Sequence, residues 1–242
     1  MASSVAQTAV GKALRDVLAK VQKAAEKAGR SQPPRLVAVS KTKPVSMLME
    51  AYNAGQRHFG ENYVQELLEK APEMPRDVHW HFIGHLQSNK AKALVQAVPN
   101  LYSVETVDSE KIANHLNRAC EGAQRDEKLK VMVQVNTSGE ETKYGVEPNE
   151  CVDLAKHVHN QCPNLRLAGL MTIGMLDYTS KPENFQMLLD CRQRVCRELD
   201  LPEDDLELSM GMSQDFEAAT EMGSTNVRVG SSIFGARDYS QK

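Results

Sequence analysis

The chain has no run of about eighteen apolar residues, which excludes a hydrophobic helix long enough to span a bilayer. It has no basic stripe: 29 Lys and Arg stand against 32 Asp and Glu, a formal net charge of -3. A nucleic-acid surface therefore has no electrostatic footing. It has no C-x-x-C pair. Its five cysteines, Cys120, Cys151, Cys162, Cys191 and Cys196, are odd in number in a chain too long to need disulfide staples. This excludes a disulfide framework and a cysteine zinc site, and it fits a reducing compartment. No secretory signal is visible, so the sequon Asn136-Thr-Ser138 has no bearing, and the expected location is the cytoplasm. A mitochondrial location is the rival, because the first fifteen residues hold no acid. Asp16 and Glu26 inside the apolar pattern of that segment favour a structural helix instead.

Two further absences bear on the fold. No G-x-G-x-x-G turn follows the first strand-like run, which weakens an open, doubly wound nucleotide-binding sheet. No Gly- or Pro-rich linker divides the chain. What is present is alternation. Strand patterns cover Arg35–Thr42, His58–Asn62, His79–Gly84, Leu101–Thr106, Lys130–Asn136, Arg166–Ile173, Glu207–Met212 and Asn226–Phe234. Helical patterns follow the first seven, at Val45–Ala54, Val64–Ala71, Asn89–Ala97, Ser109–Ala123, Asn149–Asn160, Asn184–Leu199 and Asp215–Met222. An alternating order implies a parallel sheet with right-handed crossovers. Eight such units in 242 residues predict an α/β fold, a single closed (β/α)8 TIM barrel. Residues 1–30 read as an extra amphipathic helix on residues 31–242: Val10, Leu14, Val17, Leu18, Val21 and Ala25 recur at helical spacing, and Gly29 stops it.

In a barrel of this kind, chemistry belongs at the C-terminal strand ends. The unusual residues collect there: Lys41, Glu61 and Asn62, His85, Asn136, Met171 and Thr172, Ser213, and the run Arg228 to Ser232. Lys41 shares a strand face with Val37 and Val39. Partial desolvation favours the neutral amine, which can attack a carbonyl; the plainer alternative is a strand-end lysine with its amine in water. Arg228 lies between Val227 and Val229, so if the valines meet outer helices it points inward, and a buried guanidinium needs an acceptor. Gly230 and Ser231 offer backbone N–H groups, and Ser209, Gly211 and Ser213 form a face of small residues. Together they suit an anion after strands seven and eight. A structural Arg–carboxylate pair and an N-cap role for Ser213 are the alternatives. His79, His81 and His85 have no acidic or cysteine partner nearby in sequence, so no metal site is expected. Lys143 reads as a solvated loop lysine.

The segments VAVSKTKP, FGENYVQE, WHFIGHLQSNK, GLMTIG, ELSMGMSQDF and VRVGSSIFG, from Arg35 to Gly235, resemble in order those of the pyridoxal phosphate homeostasis protein family. The resemblance implies a barrel like the N-terminal domain of alanine racemase. It implies pyridoxal 5'-phosphate as cofactor, held as an aldimine on Lys41. Arg228 would meet the pyridine nitrogen, Ser213, Gly230 and Ser231 the phosphate, and Asn62 would complete the site. An arginine there disfavours a protonated ring, the stronger electron sink that transamination needs. The implied role is buffering or delivering vitamin B6 rather than catalysis. Its partners would be the cofactor itself and apo-enzymes that use it, and the protein is expected to be a monomer. A racemase is the first alternative; it would need a second base, for which Tyr239 in a short tail is the nearest candidate and no second domain is in sight. A lysine Schiff-base aldolase is the second.

Overall fold

The computed structural model describes residues 8–123, 125–140, 144–174 and 182–236. Lys143 and Tyr239 lie outside them. Among the described residues, eight parallel strands close into a barrel in chain order. They are β1 (Arg35–Val39), β2 (His58–Glu61), β3 (His79–Phe82), β4 (Leu101–Val107), β5 (Leu129–Gln134), β6 (Leu165–Met171), β7 (Glu207–Ser209) and β8 (Asn226–Val229). The seam is β1 on β8, with Arg35 opposite Asn226 and Val37 opposite Arg228. The helices are α1 (Ala9–Lys27), α2 (Val45–Asn53), α3 (Val64–Lys70), α4 (Ala91–Ala97), α5 (Glu110–Ala123), α6 (Cys151–Gln161), α7 (Pro182–Leu199), α8 (Phe216–Glu221) and α9 (Ser231–Phe234).

Helix α1 starts where the Thr8 hydroxyl accepts the Gly11 N–H at 3.1 Å, and Gly29, at φ 68°, lets the chain turn away. Val10, Leu14, Val17, Val21 and Ala25 are buried against α2, α8 and α9. Leu18 departs from the predicted stripe: at 42% exposure it lies just off the buried arc, which is about 100° wide.

Alternation sorts the strands into two environments. Leu36, Ala38, Phe59, Trp80, Phe82, Val227 and Val229 belong to the apolar layer between strands and helices. The opposite faces fill the barrel, and that interior is polar: His81, Ser103, Glu105, Ser209, Asn226 and Arg228 are each at most 3% exposed. Buried polar groups of this kind must find one another. The Arg228 guanidinium donates to Ser209 Oγ at 2.6 Å, and Ser209 Oγ donates to Glu105 Oε2 at 2.5 Å. Glu105 Oε1 also accepts from Asn226 Nδ2 at 2.9 Å and from His81 Nδ1 at 2.6 Å. A polar column thus runs down the barrel axis beneath Arg228.

Seven of the eight predicted strands end early, and at β1 and β8 this bears on the site. β1 stops at Val39, not Thr42, because Thr42 adopts φ 62°, so Lys41 sits in a turn. β8 stops at Val229, not Phe234. Gly230, at ψ -75°, turns the chain into the short helix α9, and Ser231 and Ser232 occupy its first turn.

Candidate functional site

The C-terminal end of the barrel opens into a cavity of about 490 Å³. All six residues singled out from the sequence line it: Lys41, Asn62, Ser213, Arg228, Gly230 and Ser231. They come from the ends of β1, β2, β7 and β8, elements that only barrel closure brings together. Val39, Ile83, Ile173 and Met212 give the cavity an apolar side, and Lys43, Gln214, Asp215, Gly235 and Ala236 complete the wall.

Arg228 forms the floor. Besides Ser209, its guanidinium donates to the Thr172 carbonyl at 2.7 Å. Burial lowers its pKa, and the charges of Glu105 below and Asp215 at the mouth oppose that shift. Glu105 is held at about 2; burial alone would raise it, but the hydrogen bond and charge of His81, the charge of Arg228 and the Ser209 hydroxyl prevail. Arg228 is therefore an inward guanidinium facing the cavity, linked to the Glu105 carboxylate through the Ser209 hydroxyl and not by direct contact.

At the opposite wall, the Gly230 N–H donates to Ser213 Oγ at 3.2 Å. That leaves the Ser213 hydroxyl proton to donate elsewhere. A Cβ on Gly230 would meet the Val39 carbonyl at 3.2 Å, so the chain passes close to β1 here. In α9 the Ile233 and Phe234 N–H groups both donate to the Gly230 carbonyl at 2.9 Å, which leaves only the Ser231 and Ser232 amides without an acceptor inside that helix. Helix α8 begins one residue later than the sequence suggests, and Asp215 sits at its start, accepting from the Met212 N–H. Burial raises the Asp215 pKa, opposed by the Met212 N–H and the charge of Arg228. An acid beside the cradle was not foreseen.

Lys41 and Lys43 differ in setting. Lys43 Nζ donates to the Ala236 carbonyl at 2.6 Å and ties the β1 turn to the segment after α9. Asn62 contributes a buried Oδ1 with no hydrogen-bond partner among the described residues. Behind the Lys41 turn, Glu61 is fully buried, and burial pushes its pKa up to about 7 against the charge and hydrogen bond of Lys70 and the Ser40 hydroxyl. His85 does not line the cavity. Its ring stacks on Tyr144 at 3.6 Å between centroids, and it borders a shallow polar depression with Asn89, Asp108 and Lys111. Among the described residues no group of three or more His, Cys, Asp and Glu is placed to hold a metal ion. The histidines do have an acidic partner: Glu105 reaches His81 from the neighbouring strand.

A closed, eight-stranded parallel barrel is the fold of the alanine racemase N-terminal class. The family model described as alanine racemase, N-terminal domain, matches residues 13–238. The human pyridoxal phosphate homeostasis protein is 53% identical over 251 residues, covering 99% of this chain and 91% of that protein. Its counterpart from Schizosaccharomyces pombe is 55% identical over 205 residues, 84% of each. The chain belongs to the pyridoxal phosphate homeostasis protein family. Among solved structures, PipY of Synechococcus elongatus PCC7942 with pyridoxal phosphate bound superposes with a TM-score of 0.70 at 32% identity, covering 89% of this chain and all of that one. Alanine racemase from Corynebacterium glutamicum matches with a TM-score of 0.65 at 14% identity over 92% of this chain and 62% of its own; at that identity the likeness is one of fold.

Proposed function

We propose that this chain binds pyridoxal 5'-phosphate in the barrel-mouth cavity, with Lys41 as its covalent anchor, and serves in vitamin B6 homeostasis in the cytoplasm by holding and handing on the cofactor. The observation that carries this reading is the convergence of an amine, a buried cation and a glycine-serine anion cradle on one cavity. The residues fit the group. Pyridoxal phosphate has an aldehyde, a phosphate and a ring nitrogen, and when bound it would supply an electrophilic carbon open to exchange with amines. Lys41 is the amine that reaches it. Ser213, with its Oγ already accepting from Gly230, has its proton left to donate to phosphate oxygen. Arg228, pinned at Ser209 and Thr172, presents an unbending positive edge to the ring nitrogen and keeps protons from it. The orphaned Asn62 Oδ1 accepts a donor from the bound molecule.

The carrier role is tested by mixing the loaded protein with an apo-enzyme and following recovered activity, beside a chiral amino-acid assay. The expected result is measurable transfer with negligible racemase or transaminase turnover. Robust turnover on one amino acid without transfer replaces the carrier by a racemase. A protein that remains colourless with the cofactor, yet is trapped on Lys41 by a keto-sugar phosphate, replaces it by an aldolase.

The phosphate end has its own check. Ser213→Ala removes one charge-assisted hydrogen bond and weakens binding by about 1 kcal/mol or somewhat more. Pyridoxal without its phosphate binds far more weakly than pyridoxal phosphate. Equal affinities for the two by titration would place the anion site elsewhere.

A further inference from the structure

The turn that carries Lys41 is gripped from behind. Ser40 has the same strand parity as Leu36 and Ala38, so it faces outward from the barrel, toward α3. Its hydroxyl donates to Glu61 Oε1 at 2.6 Å, and its carbonyl accepts from Lys70 Nζ at 2.8 Å. On the other side of Lys41, the Thr42 N–H donates to Glu66 Oε1 at 2.6 Å. Lys70 Nζ joins both ends of the grip, donating to Glu61 Oε1 at 2.8 Å and to Glu66 Oε1 at 2.5 Å. Thr42 is meanwhile held at φ 62°, a left-handed conformation that a β-branched residue adopts only when its surroundings impose it. Lys70 is only 8% exposed in its side chain, and a buried ammonium is kept only where it is paired and hydrogen-bonded.

A surface ion pair would need none of this. All three acceptors of Lys70 belong either to the turn itself or to the acids that hold it. The backbone on either side of Lys41 is thereby fixed to α3, and α3 is fixed to the sheet by the apolar layer through Leu67. We infer that Lys70, with Glu61 and Glu66, is a positioning group: it sets the strained turn so that the Lys41 amine is aimed into the cavity. None of the three lines the cavity. This rests on the proposed reading of Lys41 as the cofactor's anchor.

The test separates aim from binding. Capture is the addition of the lysine amine to the aldehyde carbon of pyridoxal phosphate, with loss of water. Borohydride then delivers hydride to the C=N bond and fixes the link for peptide mapping. Binding without capture is measured with pyridoxine phosphate, which has a hydroxymethyl group in place of the aldehyde. Glu66 is the safer position, since its side chain is 21% exposed at the edge of the network. Glu66→Ala should slow capture at Lys41 about tenfold, the scale of a small misplacement of a reacting group, with pyridoxine phosphate affinity unchanged within about twofold. Glu66→Gln keeps an acceptor for the Thr42 N–H and should restore most of the rate. Lys70→Met should slow capture at least as much as Glu66→Ala. Capture by Glu66→Ala at the unsubstituted rate overturns the inference. So does an equal loss of capture and of pyridoxine phosphate affinity, which would mean general damage to the cavity. If the unsubstituted protein itself is not labelled at Lys41, it is the anchor assignment that fails, not the grip.

Discussion

Alanine in place of Lys41 is expected to abolish covalent capture of pyridoxal phosphate, while alanine in place of Lys43 is expected to leave it. Both lysines line the cavity, two residues apart, so sequence proximity does not separate them. Their settings do. Lys43 Nζ is spent on the Ala236 carbonyl at the rim. Lys41 follows the β1 face formed by Val37 and Val39, and Val39 is part of the cavity wall beside it. Peptide mapping after borohydride reduction decides: label on Lys41 is expected in the unsubstituted protein and in Lys43→Ala, and none in Lys41→Ala. Label on Lys43 with Lys41 unmodified would refute the assignment.

Replacing Glu105 has the largest expected effect on stability. Glu105 is fully buried and is the shared acceptor of His81, Ser209 and Asn226, with the charge of Arg228 beyond. Removing the buried charge that balances Arg228 through Ser209 leaves the guanidinium uncompensated, at about 3–5 kcal/mol. Glu105→Gln keeps the volume and loses the charge, so it should cost that much in denaturant titrations near neutral pH. The sign of the pH dependence follows from the depressed pKa. The folded carboxyl titrates near 2, below its ordinary 4.5. The unfolded chain therefore takes up the proton first as pH falls. The stabilisation is complete above about pH 4.5 and is lost as pH falls through about 2. The slope of stability against pH in that window should flatten in Glu105→Gln. An unchanged slope would mean that Glu105 is not the group that titrates.

Much of this was readable in the residues. The barrel follows from eight strand patterns with helices between them, and the inward direction of Arg228 follows from the valines beside it. The small residues at Ser213, Gly230 and Ser231 suggested an anion cradle, and all three line the barrel-mouth cavity. What was hidden depended on partners far away in the chain. Glu105 and His81 are 24 positions apart, and a register shift between Trp80 and His81 breaks the alternation that would have aligned their strands. A second shift, between Val104 and Val107, disturbs the parity of β4 in the same way. The grip on the Lys41 turn escaped because Lys70 reads as an ordinary helix-end lysine until β1 and β2 are seen to deliver Ser40 and Glu61 to it. The early end of β8 was missed because Val229-Gly-Ser-Ser-Ile233 carries strand-forming residues on both sides of the glycine that turns it.

The seam of the barrel has a kinetic consequence. β1 pairs with β8, and Lys27 of α1 reaches Glu221 of α8 at 2.8 Å, residues 194 positions apart. Contacts that span most of a chain form late, because the intervening loop must close before they reward it. Lys41 lies on the first side of that seam, and Arg228 and Gly230 on the last. A nascent chain emerging from the ribosome thus carries Lys41 long before the residues of β7 and β8 that complete the cavity wall. The cavity is closed only when the final strand slots beside the first, so a stalled or truncated product presents Lys41 without it.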